Sequence, residues 1–115
     1  METTATTTWT DICPKNDLTP NAGICAQFNG QQVAIFLSKR TDTLYAVSNF
    51  DPFGVANVLS RGIIGSTEEI TYVASPLYKQ RFNLATGECL DSEIHKLKTF
   101  AIRIENEQVQ LKEAS

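Results

Sequence analysis

The side chains that could bind a metal or act as nucleophiles are few and widely spaced. The cysteines are Cys13, Cys25 and Cys89, and the single histidine is His95. An odd number of cysteines with long gaps argues against a disulfide framework and favours a reducing compartment. Structural zinc sites usually carry cysteines in closely spaced pairs, and the sequence has no such pair. We therefore predict buried thiols and no zinc site.

No residue of this sequence is predicted to be catalytic. Cys89 has no neighbouring signal for an activating base or a helix N-terminus, so a packed thiol is the better interpretation. Asp51 could act as a general base, but an aspartate before a proline more often accepts backbone N–H bonds and starts a turn. The predicted role of Asp51 is therefore structural.

Composition predicts one soluble globular domain. The chain has 115 residues, of which 42% are hydrophobic and 20% are charged. Its net charge of −3 argues against nucleic acid as a partner. No apolar run approaches the roughly 20 residues that a membrane span needs, and the N-terminus does not resemble a secretory signal, so we expect a cytoplasmic protein without membrane contact. We expect residues 1–7 to be disordered, residues 8–112 to form the domain and residues 113–115 to be a tail.

Alternating apolar residues predict an all-β protein, and no stretch of the sequence indicates a firm helix. Asn29 and Gly30 lie between two apolar segments and favour a type I′ turn, because both central residues of that turn take positive φ. The predicted strands are residues 23–28, 31–38, 44–48, 70–74, 81–84, 99–105 and 108–112.

Two predicted loops are the candidate functional segments. Residues 49–65 form a long connection for so small a domain, and long ordered loops often serve binding. Residues 75–79 are held between two strands, a common location for functional side chains. Two other segments are ambiguous: residues 9–13 suit an edge strand or one helical turn, and residues 88–98 suit a helical turn or, as we predict, a loop.

The two loops resemble the cluster-binding loops of the Rieske iron–sulfur domain. Residues 75–78 read Ser-Pro-Leu-Tyr and residues 81–87 read Arg-Phe-Asn-Leu-Ala-Thr-Gly, where that family has Cys-Pro-x-His-Gly and then Phe-Asp-x-x-Thr-Gly. The family's first loop carries Cys-x-His. The resemblance implies an antiparallel β sandwich or barrel with a smaller loop subdomain. It places the family's four ligand positions on Asn49, Asp51, Ser75 and Tyr78.

None of these four side chains is a cluster ligand. A Rieske centre needs two thiolates and two imidazoles, and the other iron–sulfur clusters need four thiolates. One histidine and three cysteines cannot supply either set. We therefore expect no cofactor in this chain, and ligand counting nearly excludes an electron-carrying ferredoxin.

Nearly the whole chain, from residue 9 to residue 111, closely resembles the small-subunit family of assimilatory NAD(P)H-dependent nitrite reductases. The resemblance includes Asn-x-Asp-Pro-Phe at 49–53, Leu-Ser-Arg-Gly at 59–62 and Ala-Ser-Pro-Leu at 74–77. It implies a large-subunit partner that carries FAD, siroheme and an iron–sulfur cluster. This chain would then assist or stabilise that partner. The alternative is a free-standing, cluster-free binding or regulatory module.

We predict that loops 49–62 and 75–79 form a tip that contacts the large subunit. Asp51, Phe53, Pro76 and Tyr78 are expected to hold this tip together in place of a metal. Phe53 and Tyr78 could instead be interface anchors or could cover the core. Two cations, Lys79 and Arg81, could steer an acidic partner or form a solvated face. The predicted interface residues are Asp51, Pro52, Phe53, Pro76, Leu77, Tyr78 and Lys79.

Overall fold

The computed structural model describes residues 8–113, and it confirms the all-β prediction. The expected disordered segment, residues 1–7, lies outside the described part of the chain. Within residues 8–113, no helix is both long enough and apolar enough to span a membrane. The strands are β1 (Thr10–Pro14), β2 (Ile24–Phe28), β3 (Gln31–Ser38), β4 (Thr43–Ser48), β5 (Phe50–Asp51), β6 (Ala56–Asn57), β7 (Ile63–Thr67), β8 (Ile70–Ala74), β9 (Arg81–Asn83), β10 (Phe100–Glu105) and β11 (Gln108–Glu113).

The central sheet is the predicted antiparallel meander, with strand order β2-β3-β4. Its first hairpin turns at Asn29 and Gly30, whose φ angles of 52° and 78° are both positive. A type I′ turn requires this conformation, so the predicted hairpin is confirmed. The turn fixes the register, which pairs Phe28 with Gln31 and Ile24 with Ile35.

A second sheet joins the two ends of the domain in the order β1-β11-β10. The ambiguous segment 9–13 contributes the edge strand β1, which pairs with β11. The predicted closing hairpin is confirmed, with Asn106 and Glu107 at positive φ in its turn. Strand β11 extends one residue beyond the expected end of the domain at residue 112, because Glu113 pairs with Phe100.

The third sheet, in the order β7-β8-β9, corrects the predicted extent of the first loop. Residues 63–65 were expected to belong to that loop, but they begin β7, which pairs with β8 from Ile63–Ala74 to Thr67–Ile70. The hairpin turn consists of Glu68 and Glu69, at φ 48° and 70°. Glutamate is unusual at positive φ, so the sequence contains no turn signal there.

Two hydrophobic cores lie on opposite faces of β3. Val33 and Ile35 face the sheet formed by the chain ends, and Ala34 and Phe36 face the β7-β8-β9 sheet; all four side chains are fully buried. The first core, which we call the terminal core, contains Phe28, Val33, Ile35, Ala46, Phe100, Val109 and Leu111. The second, which we call the loop core, contains Ala34, Phe36, Val47, Leu59, Val73, Phe82, Leu84 and Leu97.

Residues 88–98 form the predicted loop, which returns across the loop core. It is fixed by isolated bridges between Phe82 and Cys89 and between Glu88 and Lys96. The loop begins after Gly87, whose φ is 83° and whose missing side chain leaves room for the backbone of Leu97. Leu97 is 3% exposed, so the loop contributes a core residue despite its irregular backbone.

Replacing Glu69 with glycine should raise the free energy of unfolding by about 0.5–1 kcal/mol, because glycine adopts positive φ without the steric cost of a Cβ. Urea unfolding is the measurement. Glu105→Gly is the control, since Glu105 is also exposed but lies in β10 without positive φ. We expect that control to lose stability, and a loss in both variants would contradict the assigned turn geometry.

Candidate functional site

The first loop of the tip is organised by the short ladder between β5 and β6. Phe50 pairs with Asn57 and Asp51 with Ala56, and the N–H of Val55 donates to the carbonyl of Asp51 at 2.7 Å. Val55 has a φ of 55° and is 72% exposed. A β-branched residue at positive φ is strained, so this turn combines backbone strain with an exposed apolar side chain.

Asp51 is fully buried at the centre of this loop. Its Oδ1 accepts the backbone N–H of Phe53 at 2.9 Å, which is the turn-forming contact that the sequence favours for an aspartate before proline. Its Oδ2 accepts the hydroxyl of Ser75 from the second loop. One carboxylate oxygen therefore holds the backbone of its own loop, and the other holds the side chain of Ser75 in the second loop.

The second loop is closed around Ser75, which is 2% exposed. The Ser75 hydroxyl oxygen accepts the N–H of Leu77 at 3.2 Å, and the Ser75 carbonyl accepts the N–H of Lys79 at 3.0 Å. The N–H of Ser75 donates to the carbonyl of Gln80 at 2.9 Å. One buried serine thus closes its own loop and also donates to Asp51 of the other loop.

A second contact joins the two loops beside the Asp51–Ser75 hydrogen bond. The side chain of Leu77 packs over Gly54, so closely that a Cβ on Gly54 would overlap it. The absence of a side chain at position 54 therefore lets Leu77 of the second loop lie directly against the first loop. The two loops therefore form one continuous surface.

Asn49 is buried, but it lies at the base of the first loop. Its amide nitrogen donates to Gln32 Oε1 at 3.0 Å, and its Oδ1 accepts the N–H of Ser60 at 2.6 Å. Its backbone carbonyl accepts the N–H of Leu59 at 3.1 Å. Asn49 therefore anchors the loop to β3 and to the turn that follows the loop.

Phe53 and Tyr78, the two aromatic residues whose roles the sequence left open, differ in burial. Phe53 is half-buried, with ring centroids 6.1 Å from Phe82 and 4.7 Å from His95. Tyr78 is 65% exposed, so it does not cover the core. Beside it, Pro76 and Lys79 are exposed and Leu77 is 46% exposed. Of the residues expected to hold the tip together, Asp51 and Phe53 contact buried residues of the protein, whereas Pro76 and Tyr78 are exposed.

Arg81 connects the second loop to the loop at 88–98. Its Nε and Nη2 donate to the two carboxylate oxygens of Asp91 at 3.2 and 2.8 Å, and its backbone N–H donates to Asp91 at 2.8 Å. These hydrogen bonds lower the pKa of Asp91 below its ordinary value. Lys79, in contrast, forms no ion pair within residues 8–113. Of the two cations, only Lys79 is free to attract a partner.

The donor groups do not fit an iron–sulfur cluster. Asn49, Asp51, Ser75 and Tyr78 offer neither thiolate nor imidazole. Residues 8–113 contain no group of three or more metal-ligating side chains.

The positions of the thiols agree with this conclusion and correct one expectation. None of the three thiols is fully buried as expected: Cys13 and Cys89 are half-buried, and Cys25 is exposed because it alternates with inward-facing residues on the edge strand β2. Its Sγ lies 3.4 Å from Gln32 Oε1. Cys25 Sγ also accepts the side-chain N–H of Asn49 at 3.5 Å, so this thiol lies at the base of the first loop, and the ring of His95 contacts Phe53.

Comparison with known proteins places this chain in a family. Residues 8–112 match the model of the Rieske-like [2Fe-2S] domain. The chain is 44% identical over 104 residues to the nitrite reductase (NADH) small subunit of Salmonella typhimurium, covering 90% of this chain and 96% of that protein. The solution structure of the Escherichia coli protein NirD superposes with a TM-score of 0.84 at 42% identity, covering 94% of this chain and 98% of that one.

One relative is a much larger protein. The large subunit of the nitrite reductase [NAD(P)H] of Klebsiella oxytoca is 37% identical over 101 residues. The match covers 88% of this chain but only 10% of that protein. In that organism, a domain similar to this chain is therefore part of the large-subunit polypeptide.

Asp91→Asn should reduce the stability lost on acidification. Because the folded-state pKa of Asp91 is depressed by Arg81, its stabilising contribution is present above its ordinary pKa of 3.8 and disappears as the pH falls through the lower folded value. The difference in unfolding midpoint between wild type and variant should therefore be constant near neutrality and shrink below about pH 4. Asp42→Asn, an exposed aspartate without an ion pair in the described part of the chain, controls for the loss of one charge. If the difference in unfolding midpoint between wild type and variant stays constant down to about pH 2.5, the assigned ion pair is contradicted.

Proposed function

The chain belongs to the Rieske-like [2Fe-2S] domain family and, within it, to the nitrite reductase small subunits, and we propose that it is a non-catalytic subunit of an assimilatory NAD(P)H-dependent nitrite reductase. In this role it binds and stabilises a large subunit that reduces nitrite to ammonia. The large subunit carries the FAD, siroheme and iron–sulfur cluster, and the complex is cytoplasmic. The observation that carries the proposal is the strong similarity to small subunits over nearly the whole chain.

The Klebsiella oxytoca large subunit supports the partner assignment. A domain similar to this chain occupies about a tenth of that polypeptide. Two domains that are covalently joined in one organism work in one assembly there. Where the related domains are separate chains, a non-covalent interface would take the place of the covalent link. We propose such an interface between this chain and a large subunit.

The chemistry of the tip supports a non-catalytic role. Asp51 is fully buried, and each of its carboxylate oxygens already accepts a hydrogen bond from the protein, so this acid is not exposed to a substrate proton. His95 packs against Phe53. The residues between and around the two loops are arranged to maintain shape.

The exposed part of the tip is the proposed docking surface. Val55, Leu77 and Tyr78 are 72%, 46% and 65% exposed, and the contact between Leu77 and Gly54 makes their two loops one surface. Strained backbone and exposed apolar side chains are retained more often at functional sites than elsewhere. Lys79 adds an unpaired positive charge, which suits an acidic rim on the partner. Asp51, Pro52, Phe53 and Pro76 support this surface from within or at its edge.

A free-standing binding or regulatory module is the competing function, since the same exposed tip could serve another protein. Purification of the tagged chain from its native cell distinguishes the two. Recovery of a large protein with the absorption of flavin and siroheme supports the nitrite reductase assignment. A stable complex with a different protein, or a chain that remains alone at micromolar concentration, contradicts it.

Leu77→Asp should reduce recovery of the large subunit about tenfold, because a carboxylate in an apolar contact loses its hydration without gaining a partner. The midpoint of thermal unfolding should change little, since Leu77 is 46% exposed. Ile104→Asp is the matched control: Ile104 is 41% exposed, but lies in β10 of the sheet formed by the chain ends. Equal losses of partner in the two variants would place the docking surface elsewhere.

A further inference from the structure

The family to which the chain belongs implies a [2Fe-2S] cluster, and the residues present do not fit one. In a Rieske centre, two thiolates bind one iron and two imidazoles bind the other. Each loop supplies one residue of each kind, so the two residues at the thiolate positions must lie side by side across the junction of the loops. Ser75 precedes Pro76, as the cysteine of the second loop does in Cys-Pro-x-His, so the side chain that meets Ser75 across the junction marks the thiolate position of the first loop.

Asp51 and Ser75 are the residues that meet. They are 0% and 2% exposed, and the hydroxyl of Ser75 donates to Oδ2 of Asp51. Asn49, which the sequence resemblance placed at the thiolate position of the first loop, is hydrogen-bonded to Gln32 and to the N–H of Ser60 instead. None of the hydrogen bonds of Asn49 within residues 8–113 reaches the second loop.

The geometry therefore assigns the two ligand positions of the first loop two residues later in the sequence than the resemblance did. Asp51-Pro52-Phe53 corresponds to Cys-x-His, and Ser75-Pro76-Leu77-Tyr78 corresponds to Cys-Pro-x-His. Phe53 and Tyr78 then occupy the two imidazole positions. One of these rings is packed beside Phe82 and His95, and the other is exposed on the docking surface.

We propose that the buried Asp51–Ser75 hydrogen bond replaces the cluster as the link between the two loops, with Asp51 and Ser75 at the two thiolate positions. Three hydrogen bonds run in series through this pair: from the N–H of Phe53 to Asp51, from the hydroxyl of Ser75 to Asp51, and from the N–H of Leu77 to Ser75. The middle bond joins the loops and the outer two close them. Breaking the middle bond therefore releases both halves of the tip, much as removal of a shared metal would.

This link is a positioning device, and it does not depend on the identity of the partner. A buried carboxylate is stable only when it is hydrogen-bonded, and charge-assisted hydrogen bonds are about twice as strong as neutral ones. The pair therefore selects one arrangement of the loops. Leu77, held over Gly54 by this arrangement, takes its position on the exposed surface as a result.

The first test removes the link with Ser75→Ala. We expect the midpoint of thermal unfolding to fall by about 5 °C or more and the amides of Phe53 and Leu77 to exchange at least about tenfold faster. Ser92→Ala is the matched control, because the Ser92 hydroxyl oxygen also accepts an N–H two residues ahead, that of Ile94 at 3.1 Å, but its hydrogen bond lies within a single loop. Equal effects of the two substitutions would overturn the proposal.

The second test examines the register with two sets of introduced ligands. The variant Asp51→Cys/Phe53→His/Ser75→Cys/Tyr78→His, supplied with ferric iron and sulfide, should assemble a cluster that absorbs visible light and becomes EPR-active after one-electron reduction with dithionite. The variant Asn49→Cys/Asp51→His/Ser75→Cys/Tyr78→His introduces the same numbers of thiols and imidazoles in the other register and should not. Assembly in the second variant, or a folded first variant without a cluster, would overturn the assigned positions. If neither variant folds, amide exchange in Ser75→Ala alone confirms or overturns the link.

Discussion

The burial of β3 on both faces is the constraint on which the rest of the structure depends. Four consecutive residues, 33–36, are inaccessible to solvent and divide between the terminal core and the loop core. A strand that is buried on both sides needs partners along both edges and cover on both faces. The meander satisfies its edges, the sheet formed by the chain ends covers one face, and the β7-β8-β9 sheet covers the other.

This arrangement of sheets also positions the two loops of the tip. Its first loop follows β4 and its second follows β8, so each loop starts from a sheet that packs against the loop core. Asn49 then fixes the base of the first loop to β3 through Gln32. The loops themselves have little apolar interior, and buried polar groups must be paired. The contact between Asp51 and Ser75 meets that requirement and joins the loops in the same interaction.

The chain retains the scaffold of a cluster-binding domain without its ligands. Scaffold and ligands are separable because the fold rests on two apolar cores, whereas a cluster would act only at the junction of the loops. A carboxylate and a hydroxyl occupy little space and complete each other's hydrogen bonding. In the proposed role, this pair stands in for the metal ligands and preserves the shape of the tip that would contact a partner.

Local signals in the sequence determined most of the fold and the position of the tip. Asn29-Gly30 and the alternating apolar residues define hairpins because turn conformation and side-chain alternation are properties of neighbouring residues. The dipeptides Ser75-Pro76 and Thr86-Gly87 indicate the position of the second loop for the same reason. In contrast, β7 and its Glu68–Glu69 turn could not be predicted, since the strand forms through pairing with β8 and the turn adopts positive φ without glycine or asparagine. Only the tertiary structure decided which residues meet across the tip, because the contact between Asp51 and Ser75 joins positions 24 residues apart and depends on how two sheets pack. It also decided that Phe53 is packed while Tyr78 is exposed, because burial depends on the neighbours that the fold supplies.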